Sequence, residues 1–208
     1  MSYTITTNTA NIGGTTYNLY QINSNVLSFP DLDTFATAGG YTSFTIGSNL
    51  FKDNQNFNSI NWSGGSKITT LNDSSFNNTI ITSLDLSETN ITTINNFVFK
   101  FCSNLSYVNI PSTVTNIGNQ AFNQSGDYSS TSTIIINCNC NLSNEYIFRY
   151  TKFSNIIIGS SIGEISGDRI FNNMGKETNG TNRNIQIKIV LPNTLNVTST
   201  SRVFSYPS

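Results

Sequence analysis

Phe76, Phe99, Phe122, Phe148, Phe171 and Phe204 follow one another at steps of 23, 23, 26, 23 and 33 residues. A unit this short cannot bury its own apolar face, so recurrence at this length implies similar units stacked on one another. Other apolar positions keep step with the phenylalanines. A position read as inward-facing on a short strand recurs at Ile46, Trp62, Leu86, Ile110, Ile136, Ile158 and Leu191, and from Trp62 onward it precedes the closing phenylalanine by 12 to 14 residues. Between the two lies a second apolar pair: Ile68/Leu71, Ile91/Ile94, Val114/Ile117 and Ile162/Ile165. Two short strands and a closing aromatic per turn predict a mainly β, right-handed solenoid of two or three sides.

The fullest copy is Asn104–Phe122, NLSYVNIPSTVTNIGNQAF. Leu105, Val108 and Ile110 fit a strand with alternating inward side chains, Pro111 stops it, and Val114, Ile117 and Phe122 carry the pattern onward. This copy, with ITSLDLSETNITTINNFVFKFCSNL before it, resembles the BspA-type leucine-rich repeat, whose pattern runs L-x-x-V-x-I-P, S-V-T-x-I-G, x-x-A-F-x-x-C. Cys102, three residues after Phe99, falls on the family's cysteine position, and the resemblance extends from about Tyr41 to Phe204. Proline after the strand survives only as Pro111 and Pro192, and Ser125 replaces the cysteine after Phe122. The resemblance implies a leucine-rich-repeat solenoid used for binding or display, as in bacterial surface adhesins, parasitic protists and large DNA viruses, and not generally an enzyme.

Residues 1–40 read as an N-terminal cap. Tyr3 and Ile5, then Tyr17 and Leu19, suggest a hairpin turning near Gly13-Gly14. In SFPDLDTFATAGG, Ser28 suits an N-cap, Pro30 the first turn, and Asp31 and Asp33 the positive helix end. Leu32, Phe35 and Ala36 share one face before Gly39-Gly40 stops the helix. Residues 41–208 form the solenoid, with GKETNGTNRN, near 175–184, read as an inserted loop.

The chain holds 33 Asn, 28 Ser and 27 Thr, only 21 charged residues, no histidine and a net charge of −1. So weak a field gives no steering toward nucleic acid or an anionic membrane. The Asn content fits tight turns recurring along a solenoid. The start, MSYTITTNTANIGG, lacks the basic and apolar regions of a signal peptide, and no stretch nears the roughly 18 apolar residues of a membrane span. The expectation is a chain made in the cytoplasm, without membrane insertion, for incorporation into a virion or surface layer.

Without histidine, Ser-His-Asp and Cys-His arrangements are excluded and the commonest metal ligand is missing. The carboxylates are scattered, and Glu164/Asp168 reads as a solvated turn and not as an acid–base pair. No cofactor or metal is expected. Cys102, Cys138 and Cys140 are expected as reduced thiols, because a bridge between residues two apart on a strand is strained. Cys102 and Cys140 are expected to pack as small buried side chains.

Two candidate surfaces remain. The outward position of the first strand reads Thr45, Asn61, Asp85, Asn109, Ile135, Ile157 and Val190 along the solenoid. Its apolar end, Ile135, Ile157 and Val190 with Tyr107 nearby, is expected to be an exposed contact stripe for a protein partner or self-association. The alternative is a glycan- or host-binding face built from the columns Ser59, Ser83, Tyr107 and Asn61, Asp85, Asn109. The function expected is non-enzymatic protein contact, as a structural or surface component of an assembly such as a viral particle. The alternative is a carbohydrate- or host-surface-binding adhesin.

Overall fold

Runs of three or four residues with alternating apolar side chains, each stopped by a turn, fold into coils that stack through backbone hydrogen bonds. The computed structural model describes residues 1–174, 188–193 and 195; the expected insertion near 175–184 and Phe204 lie outside them. In chain order the elements are β1 (Ser2–Ile5), β2 (Thr9–Ile12), β3 (Thr15–Asn18), β4 (Gln21–Asn23), β5 (Val26–Ser28), α1 (Leu32–Gly39), β6 (Ser43–Ile46), β7 (Ser59–Asn61) and β8 (Ile68–Leu71). These are followed by β9 (Ser83–Asp85), β10 (Thr93–Ile94), β11 (Tyr107–Ile110), β12 (Asn116–Ile117), β13 (Thr133–Ile136), β14 (Asn155–Ile158) and β15 (Lys188–Val190).

Each turn has three sides. The first carries the parallel sheet β9-β11-β13-β14-β15, and β5 and β7 pair in parallel ahead of it. The Thr82 N–H donates to the Asn58 carbonyl, setting β9 beside β7. The second side carries the sheet β1-β6-β8-β10-β12, extended by a Leu142–Ile165 bridge. Both sheets turn their apolar residues inward, so one core runs the length of the described solenoid, from Ile5 to Met174.

The third side holds the phenylalanine column. Phe76, Phe99, Phe122, Phe148 and Phe171 stack with centroids 5.5, 5.2, 5.4 and 5.4 Å apart, and their planes lie within 22° of parallel. Phe51, absent from the sequence series, heads the column 5.0 Å from Phe76. Residues two before and two after each column phenylalanine have positive φ: Asn49/Asp53, Ser74/Asn78, Phe97/Phe101, Gln120/Gln124, Tyr146/Tyr150 and Arg169/Asn173. None of them is glycine. Such a conformation costs an L-residue about 1–2 kcal/mol, least for Asn and Asp. A ladder of backbone bonds repays it. The N–H groups of Phe97, Phe99 and Phe101 donate to the carbonyls of Asn119, Ala121 and Asn123 in the next turn, and the same three-rung pattern joins every successive pair of turns from Phe51 to Phe171.

Small polar side chains tie the turns below the column. Cys102 is fully buried; its Sγ donates to the Phe76 carbonyl at 3.2 Å and shares a hydrogen bond with Thr79 Oγ1 at 3.3 Å. Ser125 repeats the first contact one turn on, donating to the Phe99 carbonyl. The replacement of cysteine by serine therefore preserves the tie.

Several expectations need correction. β1 belongs to no hairpin and pairs in parallel with β6; the hairpin is β2–β3, turning at Gly13 and Gly14 with φ of 59° and 85°. A second hairpin, β4–β5, turns at Ser24-Asn25, both also with positive φ as a two-residue turn requires. The helix cap residue is Asp31, not Ser28, which ends β5. Leu32, Phe35 and Ala36 are the buried face, and Gly40 stops the helix at φ 65°. Asp31 leaves the helix end uncapped and instead accepts from the Asn18 N–H at 2.8 Å. Thr45 and Ile46 lie on the second side, in register with Thr70 and Leu71. Their run SFTI has the alternation of a first-side strand, and only pairing distinguishes the two; the true first-side strand of that turn is β5, with α1 inserted after it.

Leu191, expected inward, is 45% exposed because β15 ends at Val190 and the alternation ends with it. Cys138 and Cys140, expected as thiols, form a disulfide with Cα atoms 5.3 Å apart. The expectation assumed a straight strand, but β13 stops at Ile136 and the chain bends at Asn139 and Cys140, drawing the two side chains together.

Candidate interaction surface

Parallel register on the first side turns sequence columns into surface columns. One row reads Ser83, Tyr107, Thr133, Asn155 and Lys188; the next, inward, reads Leu84, Val108, Ile134, Ile156 and Ile189; the third, outward, reads Asp85, Asn109, Ile135, Ile157 and Val190. The structure thus aligns Ile135, Ile157 and Val190 on consecutive strands. Ile135 and Tyr107 are half-buried, Ile157 is 36% exposed and Val190 42%. Their neighbours along the strands are buried: Ile134, Ile136, Ile156 and Ile158 fill the core. β-branched residues suit a strand on either face, so the alternation of burial, and not residue type, separates stripe from core.

The polar end of the same row is internally bonded. Asn109 Nδ2 donates to Asp85 Oδ1 at 3.1 Å, and the Ser87 N–H donates to the same oxygen at 3.0 Å. Partial burial pushes the Asp85 pKa up, but hydrogen bonds from the Ser87 backbone, the Ser87 side chain and Asn109 outweigh it and leave the carboxyl below its usual value. Burial, then the negative charge of Asp85, pushes the Tyr107 phenol up. Asn61 Oδ1 accepts from the Ser63 N–H at 2.9 Å, and Ser59 Oγ lies 3.5 Å from the Asn25 carbonyl. Ser59 and Asn61 lie on β7 and Ser83, Asp85 and Asn109 on β9 and β11, so the first side carries all five, whereas Thr45 is on another side.

Sequence reading passed over the third side. There Lys100 Nζ sits over the rings of Phe97 and Phe101, at 5.2 and 4.9 Å from their centroids. Two turns later the Arg149 guanidinium sits over Tyr146 and Tyr150, at 4.9 and 4.7 Å. Arg169 Nη1 donates to the Tyr146 hydroxyl at 2.6 Å. The signal was present as aromatic-x-x-basic-aromatic, FVFKF and YIFRY, around Phe99 and Phe148. The inward phenylalanine of each motif drew attention to the core and away from its flanks.

No curated protein matches the chain. The family model for the BspA type leucine rich repeat region matches in six copies, over residues 21–131 and 45–178. Those spans take in the phenylalanine column from Phe51 to Phe171 and the strands from β4 to β14, and the chain belongs to the BspA-type leucine-rich repeat family.

Proposed function

We propose that this chain is a non-enzymatic contact protein whose binding surface is the Ile135–Ile157–Val190 stripe with Tyr107, and that it serves as a structural or surface component of a larger assembly such as a viral particle. The repeat of this family is an interaction domain, and the exposed apolar row on three consecutive strands supports the reading. Apolar groups held outward on a rigid sheet lose little entropy on docking, so their burial favours association.

The test is the solution mass by size-exclusion chromatography with light scattering, for wild type and Ile157→Asp. An oligomer that the substitution reduces to a folded monomer of 22.8 kDa supports self-association through the stripe. A wild-type monomer removes self-association and leaves a dedicated protein partner. Loss of cooperative unfolding in the variant places Ile157 in the core and overturns the surface.

Sugar recognition at Ser59, Asn61, Ser83, Asp85 and Asn109 has less support. Asn61, Asp85 and Asn109 already use side-chain groups in bonds within the chain.

A further inference from the structure

The third side carries a pattern that the core does not require. Just after each column phenylalanine the chain places Lys52, Asn77, Lys100, Asn123, Arg149 and Asn172, so cation and amide alternate through six turns. The amides Asn77, Asn123 and Asn172 are buried, whereas the three cations reach the surface. Stacked turns lie about 4.8 Å apart, so successive cations recur at about 10 Å.

The positive-φ positions flanking the column single out two of the three cation turns, and the Phe51 turn that carries Lys52 has no aromatic pair. Around Phe51 and Phe76 they hold Asn49, Asp53, Ser74 and Asn78, short polar residues suited to that backbone. Around Phe99 and Phe148 they hold Phe97, Phe101, Tyr146 and Tyr150, bulky residues for which it is least favourable. Each aromatic pair brackets one cation, and Phe101 remains 39% exposed. Between the two brackets, the Phe122 turn presents Gln120 and Gln124, and Lys100 Nζ donates to Gln120 Oε1 at 3.0 Å. Two buried polar atoms in adjoining turns, Asn123 Oδ1 and Arg149 Nε, have no hydrogen-bond partner. Backbone strain kept at surface aromatics, beside unfilled hydrogen-bonding capacity, points to a ligand.

The cation spacing selects among anionic chains. In an extended acidic peptide, side chains on one face recur about every 6.7 Å, out of step with cations about 10 Å apart. Nucleic-acid phosphates recur about every 3.4 Å along a strand, so two of every three would face no cation. A linear glycan with an acidic sugar at every second unit repeats on the scale of two turns. Its carboxylates meet the cations, its hydroxyls meet Gln124, and its C–H faces meet the ring edges.

We propose that the third side binds a linear acidic polysaccharide in which a carboxylated sugar alternates with a neutral one, lying along the column Lys52, Lys100, Arg149. This goes beyond the protein-contact reading and uses a different side of the solenoid.

Calorimetric titration tests it, with an alternating glucuronate–N-acetylglucosamine oligosaccharide as probe and a neutral chito-oligosaccharide and poly-glutamate as comparators. Binding of the uronate probe alone is expected. It should weaken at least tenfold in the Lys100→Gln/Arg149→Gln double variant and stay unchanged in Ile157→Asp, which separates it from the stripe. Phe101→Asn and Tyr150→Asn should also weaken binding while raising Tm, because Asn suits the backbone there; a merely structural pair of rings would lower Tm instead. Absence of uronate binding, or equal binding of the neutral glycan or of poly-glutamate, overturns the proposal.

Discussion

Asn109 Nδ2 bonds Asp85 Oδ1 across two neighbouring strands, at the point where the outward row changes from polar to apolar. The bond is stronger to an ionised Asp85, whose folded pKa lies below its ordinary value. The contribution is therefore complete above the unfolded value of about 3.9 and is lost as pH falls through the folded pKa. Thermal unfolding followed from pH 6 downward should show Tm falling in this acid range, and Asp85→Asn should flatten part of that fall. An unchanged profile in the variant would show that other carboxylates carry the acid sensitivity.

Phe122 sits between Phe99 and Phe148 and is fully buried. Phe122→Ala should lower unfolding free energy by about 3–5 kcal/mol, through lost transfer energy and the cavity left behind. Phe122→Leu should cost less, since it keeps most of the volume but gives up two stacked pairs worth about 0.5–1.5 kcal/mol each. Urea denaturation of the two variants orders them, and a Leu variant as damaged as Ala would mean that shape outweighs volume here.

Burial pushes the Cys102 thiol up to about 11, and its side chain is fully enclosed. At pH 8 the native thiol should therefore resist alkylation by iodoacetamide, and labelling should proceed only at the rate of unfolding. Mass spectrometry of samples with and without urea checks this. Cys102→Ser, which copies Ser125 one turn on, should fold with nearly wild-type cooperativity.

The Cys138–Cys140 bridge closes a loop of only two residues' separation. So short a loop removes little freedom from the unfolded chain, and reduction should lower stability by no more than about 1–2 kcal/mol. Comparing Cys138→Ser/Cys140→Ser with wild type under oxidising and reducing conditions measures the difference.

The period and most inward positions were legible in the sequence because burial at each turn falls on residue types that water disfavours: Ile110, Val114, Ile117 and Phe122 announce one complete turn. Pairing was harder to read. Ser43–Ile46 and Tyr107–Ile110 alternate alike, and nothing local says that the first lies on the second side and the other on the first side. Phe51 was missed because helix α1 breaks the spacing of its turn. The outward row could be read once register was assumed, since parallel stacking carries sequence columns directly into space. The third side was least legible, because residues such as Phe97 and Tyr146 occupy a backbone conformation that their type ordinarily avoids, and no propensity argument would place them there.

The ladder beneath those residues has an electrical consequence. In the flanking parallel sheets, N–H groups along a strand point alternately to either neighbour, so their dipoles largely cancel. On the third side the inter-turn N–H groups, from Asn49, Phe51 and Asp53 to Tyr146, Phe148 and Tyr150, all point toward the C-terminal turns. Their dipoles add as they do along a helix, though with the opposite sense relative to chain direction. The solenoid is thus a polar rod, negative at the Phe51 turn and positive at the Phe171 turn. Any charged chain lying along this side meets a direction as well as a surface.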